Sequence, residues 1–222
     1  MELKGKIIDF LGDSLTEGLG LTDGGNRYDR YIESHCGLKK ANNYGIGGTR
    51  IAHQTVPSEK ARHDLNFCGR CWDMDKSADI IVVFGGTNDY GHGDAPFGKV
   101  GDTERTTFCG AVAYLIKTIR ELYPSATLAM VTPGHRFDDE TMPPARKLER
   151  TGLEGRKLED YVNAMVEICR NHDVPVLNLF TELPIDPKKP EDCKKYTFDG
   201  LHYNDLGHIE VGKKIAEFLK SI

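Results

Sequence analysis

No stretch of this chain approaches the roughly 18 consecutive apolar residues of a membrane helix, and its apolar runs are short. Insertion into a membrane is therefore not expected. A basic excess is missing as well. Lys and Arg number 29 against 34 Asp and Glu, a net charge of −5. Without a basic block, nucleic acid and anionic membrane surfaces are poor candidates for partners. The opening MELKGKIIDFLGDS has an apolar run of about five residues, too short for a signal-peptide core, and no small-residue cleavage site follows. A cytoplasmic location is expected. Repeats, linkers and low-complexity tracts are absent, and 222 residues suffice for one core. One domain spanning 1–222 is expected.

Nor is there a disulfide framework. Six cysteines, at 36, 68, 71, 109, 169 and 193, are dispersed. Cys109 and Cys169 fall in helix-like apolar patterns, where a small buried thiol is usual. His63, Cys68 and Cys71 raise the idea of a metal, but Cys-x-x-Cys is half of a zinc site and the second half is missing at short spacing. No metal and no cofactor are expected. GIGGTR and GGTND match neither a Walker loop nor Gly-x-Gly-x-x-Gly. The Gly-x-Ser-x-Gly pentapeptide of α/β-hydrolases is also absent.

What is there is an alternation. Short, nearly continuous apolar runs at Lys6–Leu11, Asp79–Phe84, Thr127–Val131 and Val174–Leu179, with a weaker one at Ala41–Tyr44, read as strands buried on both faces of a parallel sheet. Between them come helical periods: about Arg27 to His35, Phe108 to Leu122, Leu158 to Ile168, and Leu206 to Leu219. Strand, helix, strand, helix implies an α/β sandwich with right-handed crossovers. Two segments, 52–77 and 132–156, break the alternation, and both are placed to overhang a site. Loops this long in a compact domain are often functional.

In an open parallel sheet, ligands bind beyond the carboxyl ends of the strands. Four polar blocks belong there: Gly12-Asp13-Ser14, Asn43-Tyr44-Gly45-Ile46-Gly47-Gly48, Gly85-Gly86-Thr87-Asn88-Asp89, and Asp199-Gly200-Leu201-His202. Together they are the parts for acyl transfer. Ser14 is a nucleophile once a base takes its proton. His202 is that base, histidine being the side chain that ordinarily titrates near neutrality. Asp199, three residues earlier, can reach its Nδ1 and fix the tautomer. Ser14 N–H, Gly48 N–H and the Asn88 amide are the donors available to an oxyanion. The glycine at 12 is expected to let the chain turn sharply off its strand. Asp13 is expected to brace that turn, and Asp89 the loop presenting Asn88. Asp13, His92 and His135 are candidate pocket residues. A Glu17–Asp89 carboxylate pair, as in glycosidases, is the weaker reading of those two acids.

The four blocks in this order, spanning residues 12 to 202, resemble the GDSL or SGNH hydrolase family of serine esterases and lipases. Ser14 in GDSLTEG, Gly48 in NYGIGG, Asn88 in GGTND and His202 in DGLH match its block residues, and HYNDLGH, with Asn204 as a helix cap, resembles its usual continuation. The resemblance implies a three-layer α/β/α sandwich, flavodoxin-like, with five parallel strands in order 2-1-3-4-5. It also implies hydrolysis of a small-molecule carboxylic ester through an acyl-enzyme. With no apolar lid and with His, Asp and Arg in the rim loops, the expected substrate is a short-acyl, acetyl-like ester of a polar or carbohydrate-like alcohol. A lipase, lysophospholipase or thioesterase of the same family, and a non-catalytic carbohydrate-binding member, are the alternatives. The residues carry no signal for oligomeric state.

Overall fold

The computed structural model describes residues 1–136 and 155–222. The first apolar run forms β1 (Ile7–Gly12), and four further strands follow: β2 (Lys40–Gly45), β3 (Ile80–Phe84), β4 (Thr127–Val131) and β5 (Val176–Leu177). All pair in parallel, in the order β2-β1-β3-β4-β5. Register is fixed by pairs such as Ile8↔Ile80 and Ile80↔Thr127. This is the three-layer sandwich that the resemblance implies.

Alternate strand residues point to opposite faces, and both faces are covered. Ile8, Phe10, Ile80, Val82, Ala129 and Val131 pack with Tyr28 and Ile32 of α2 (Tyr28–Cys36) and with Val211, Ile215 and Leu219 of the last helix, Asp205–Ser221. Leu11, Ile81, Val83, Leu128 and Met130 pack on the other side. Their partners include Leu115 and Ile116 of the helix Phe108–Leu122 and Val162 and Met165 of the helix Leu158–Asn171. Two-sided burial is why β3 reads Ile-Ile-Val-Val-Phe without alternation. Asp9 interrupts the apolar pattern in β1. It is fully buried and accepts from Asn42 Nδ2 at 2.7 Å and Asp75 N at 2.8 Å.

The expected β5, Val174–Leu179, shortens to two residues. Pro175 has no N–H to donate, though its carbonyl still accepts from Met130 at 2.9 Å. Asn178 already caps the next helix, its Oδ1 accepting from Thr181 N at 3.3 Å. Segment 52–77 is not a bare loop. It holds a 3₁₀ turn, Ala61–Asp64, then α3 (Phe67–Arg70), capped by Asn66, and a second 3₁₀ turn, Cys71–Asp73. Cys68 and Cys71 face the core: Cys68 Sγ lies 3.5 Å from the Ala111 carbonyl and Cys71 Sγ 3.3 Å from that of Cys68. Burial raises both thiols, Cys71 to about 11. Most of the segment 132–156 lies outside the described residues, and only its start, through Arg136, is placed.

Candidate functional site

The carboxyl ends of β1, β2 and β3 deliver the first three blocks to one rim. β1 ends at Gly12, and α1 (Ser14–Glu17) begins two residues later. The glycine is needed for close approach: a Cβ there would sit 1.9 Å from Thr16 Oγ1. Thr16 Oγ1 is in turn bonded to Tyr28 Oη at 2.8 Å, which fixes the short helix against the core. Asp13 caps α1 by accepting from Leu15 N at 2.9 Å. It is fully buried, so it braces the turn and presents no surface to a pocket. Burial pushes its carboxyl up to about 6.

The fourth block arrives from the far end of the chain. Asp199 Oδ1 accepts from Leu201 N at 3.0 Å and His202 N at 2.8 Å, a tight carboxylate turn. Phe198 N donates to the His202 carbonyl at 2.7 Å and closes that turn. Asn204 caps the last helix by accepting from Gly207 N at 3.1 Å. The result is a continuous line of polar atoms. Ser14 Oγ lies 2.9 Å from His202 Nε2, and His202 Nδ1 lies 2.9 Å from Asp199 Oδ2. Burial alone would raise the Asp199 carboxyl. The hydrogen bonds from the His202 ring and from the two backbone N–H groups outweigh it and hold the group well below the usual carboxylate range. Asp199 is therefore an anion facing the imidazole.

Asn88 is tied to the residue that follows Gly48. Gly48 has φ +79°, a conformation open to glycine, and its N–H finds no acceptor among the described residues. Asn88, at the start of α4 (Thr87–His92), donates from Nδ2 to the Thr49 carbonyl at 2.9 Å. An amide nitrogen carries two hydrogens, so one anchors the side chain while the other remains to be used. Asp89 is buried and accepts from Ile51 N and Ala52 N, each at 2.9 Å. It braces the chain leaving Gly48, and burial raises its carboxyl to about 6. Glu17 and Asp89 thus serve different loops and do not face each other as a pair. The Glu17 carboxylate accepts from Gly47 N at 2.7 Å and pairs with Arg62 at 2.7 Å.

The sequence model of the GDSL-like Lipase/Acylhydrolase family matches residues 10–208, which takes in every one of these groups. The chain belongs to that family. Solved structures agree in fold. One is 31% identical with TM-score 0.86, covering 100% of this chain and 99% of its own. A Lactobacillus plantarum protein is 28% identical with TM-score 0.82, covering 98% of each chain. A Chitinophaga pinensis protein reported as a possible lipase is 24% identical with TM-score 0.66, covering 97% of this chain and 98% of its own. No curated protein matches.

The remaining candidates of this GDSL-family chain separate. His92 joins a cluster beside Gly48: its Nδ1 lies 3.0 Å from Arg50 Nη1 and its ring centroid 5.6 Å from that of His63. His135 packs on Phe180, its ring centroid 3.9 Å from that of Phe180. His63 stands against Gly48, away from the core-facing Cys68 and Cys71. Among the described residues no group of three or more His, Cys, Asp or Glu is arranged to hold a metal, and no helix is long and apolar enough to cross a membrane.

Arg70 was not anticipated. Its guanidinium donates to the carbonyls of Tyr44, Gly12 and Leu65 and to Thr49 Oγ1. One half-buried cation therefore ties the ends of β1 and β2 to the loop carrying Gly48. Burial lowers its pKa to about 10. In Cys-Gly-Arg-Cys nothing local marks it, because its acceptors are backbone carbonyls whose convergence only the sheet creates.

Proposed function

We propose that this chain is a serine hydrolase that cleaves carboxylic esters through an acyl-enzyme. Ser14 Oγ attacks the ester carbonyl while His202 Nε2 takes its proton, and Asp199 holds the imidazole and offsets the positive charge it gains. Ser14 N–H, Gly48 N–H and the second Asn88 Nδ2 hydrogen receive the oxyanion. As the intermediate collapses, His202 returns the proton to the leaving alkoxide. Water then repeats the sequence and frees the acid. No step in this route draws on a cofactor. The observation that carries the reading is the unbroken Ser14–His202–Asp199 line, 2.9 Å at each link.

The preferred substrate in this proposal is a short-acyl, acetyl-like ester of a polar or carbohydrate-like alcohol. The groups beside Gly48 are His63, His92, Arg50 and Arg62, a polar set that offers an alkyl chain little apolar surface. On the leaving-group side, Phe198 is 67% exposed, and its Cβ and that of His202 both flank Gly20. A flat apolar face next to the base suits the ring of a sugar-like alcohol.

Treatment with a fluorophosphonate, read by mass spectrometry, tests the reading. Capture at Ser14, abolished by Ser14→Ala and strongly slowed by His202→Ala, is expected. An unmodified Ser14 in a protein that binds acetylated sugars would instead support a non-catalytic member.

A further inference from the structure

The segment 52–66 carries no block of the resemblance, yet it lies on the site. A Cβ built on Gly48 would come within 2.3 Å of both Cδ2 and Nε2 of His63. The imidazole ring is therefore in contact with Gly48, the glycine proposed as an oxyanion donor. Its two chain neighbours hold it there. Arg62 pairs with Glu17 at 2.7 Å, and Glu17 belongs to α1, the helix that begins with Ser14. Asp64 pairs with Arg50 at 3.0 Å, and Arg50, only 3% exposed, is also bonded to Ser58 Oγ at 2.7 Å. Residues 62, 63 and 64 form one 3₁₀ turn, so the ring sits between two pinned positions. Burial, then the nearby Arg50 charge, lowers its pKa, which favours the uncharged ring.

We infer that His63 is the wall that limits the acyl group, making it a specificity-determining residue for the reaction proposed above. In the attack geometry the leaving oxygen must face His202, which returns the proton to it. The oxyanion must face Gly48 and Asn88. The acyl substituent takes the remaining direction, beside the ring that covers Gly48. Acetyl fits under a fixed plate; each added methylene meets it. The proposal rests on the serine-hydrolase reading and adds what that reading leaves open, the determinant of acyl length.

The test uses p-nitrophenyl acetate, butyrate and octanoate, which share one leaving group and differ only on the acyl side. For the unaltered chain, kcat/KM is expected to fall along the series. His63→Ala should raise the butyrate-to-acetate ratio of kcat/KM about tenfold, the effect of two methylenes newly accommodated. His63→Phe, which keeps a flat ring, should hold the original ratio. A ratio unmoved by His63→Ala, or raised equally by His63→Phe, overturns the wall. Should His63→Ala fail to fold, as judged by circular dichroism, His63→Leu is measured instead, with an expected rise of about threefold. An unmoved ratio there overturns the wall equally. These outcomes leave the hydrolase reading intact as long as Ser14 is captured. A chain that hydrolyses none of the three esters and leaves Ser14 unlabelled overturns the hydrolase reading and the wall with it.

Discussion

Asn88 and Thr49 lie on separate elements, and the Asn88 amide donates to the Thr49 carbonyl at 2.9 Å. This bond joins the end of β3 to the loop that follows β2, so Asn88 and Gly48, the two donors proposed for the oxyanion, are positioned relative to each other. Asn88→Ala removes a donor and releases the loop at once. Turnover should fall by roughly 10²–10³, with the larger effect on kcat than on KM. Steady-state kinetics on p-nitrophenyl acetate measure it, and a variant with full turnover would place Asn88 outside the reaction.

Gly48 tolerates no side chain. Its φ of +79° strains any other residue, and a Cβ would strike the His63 ring at 2.3 Å. Gly48→Ala should lower kcat/KM at least tenfold while the melting temperature drops by only a few degrees. A larger loss of stability than of activity would assign the glycine to the fold rather than to the site.

Arg70 ties three carbonyls and a hydroxyl. Arg70→Ala removes these donors from acceptors that are partly buried at most, at a cost of about 2 kcal/mol in urea unfolding. Activity should fall in parallel, because Gly12 and Thr49 flank Ser14 and Gly48. Arg70→Lys should recover only part of either quantity, one ammonium being unable to span four acceptors. Full recovery by lysine would refute the staple.

Asp13 supplies the pH dependence. Burial raises its folded pKa to about 6 from an ordinary 3.8. A buried acid with a raised pKa binds its proton more tightly when folded. It therefore costs the fold nothing near pH 4 and destabilises it increasingly as pH rises through about 6. Asp13→Asn removes that penalty. Relative to the unaltered chain, the variant should gain roughly 1–3 kcal/mol between pH 4.5 and pH 7.5. Urea midpoints at the two pH values measure the gain, and equal differences at both would refute the assignment.

Much of this was legible in the chain itself, and for identifiable reasons. The strands declare themselves because burial on both faces demands continuous apolar runs, as at Ile80–Phe84. The long helices declare themselves because one face must be apolar every three or four residues, as at Phe108–Leu122. Asp199 and His202 are close in sequence, so their contact is nearly local. Ser14, Gly48 and Asn88 are legible because each follows a strand end, and parallel strand ends share one edge. What the tertiary structure alone decided are the contacts with no local cause. Arg70 becomes a staple only where two strand ends and a loop bring their carbonyls together. His63 becomes a plate over Gly48 only because Arg62 and Asp64 find partners on α1 and at Arg50. Sequence patterning records which surfaces must be buried, whereas the meeting of distant polar groups is set by how those buried surfaces finally stack.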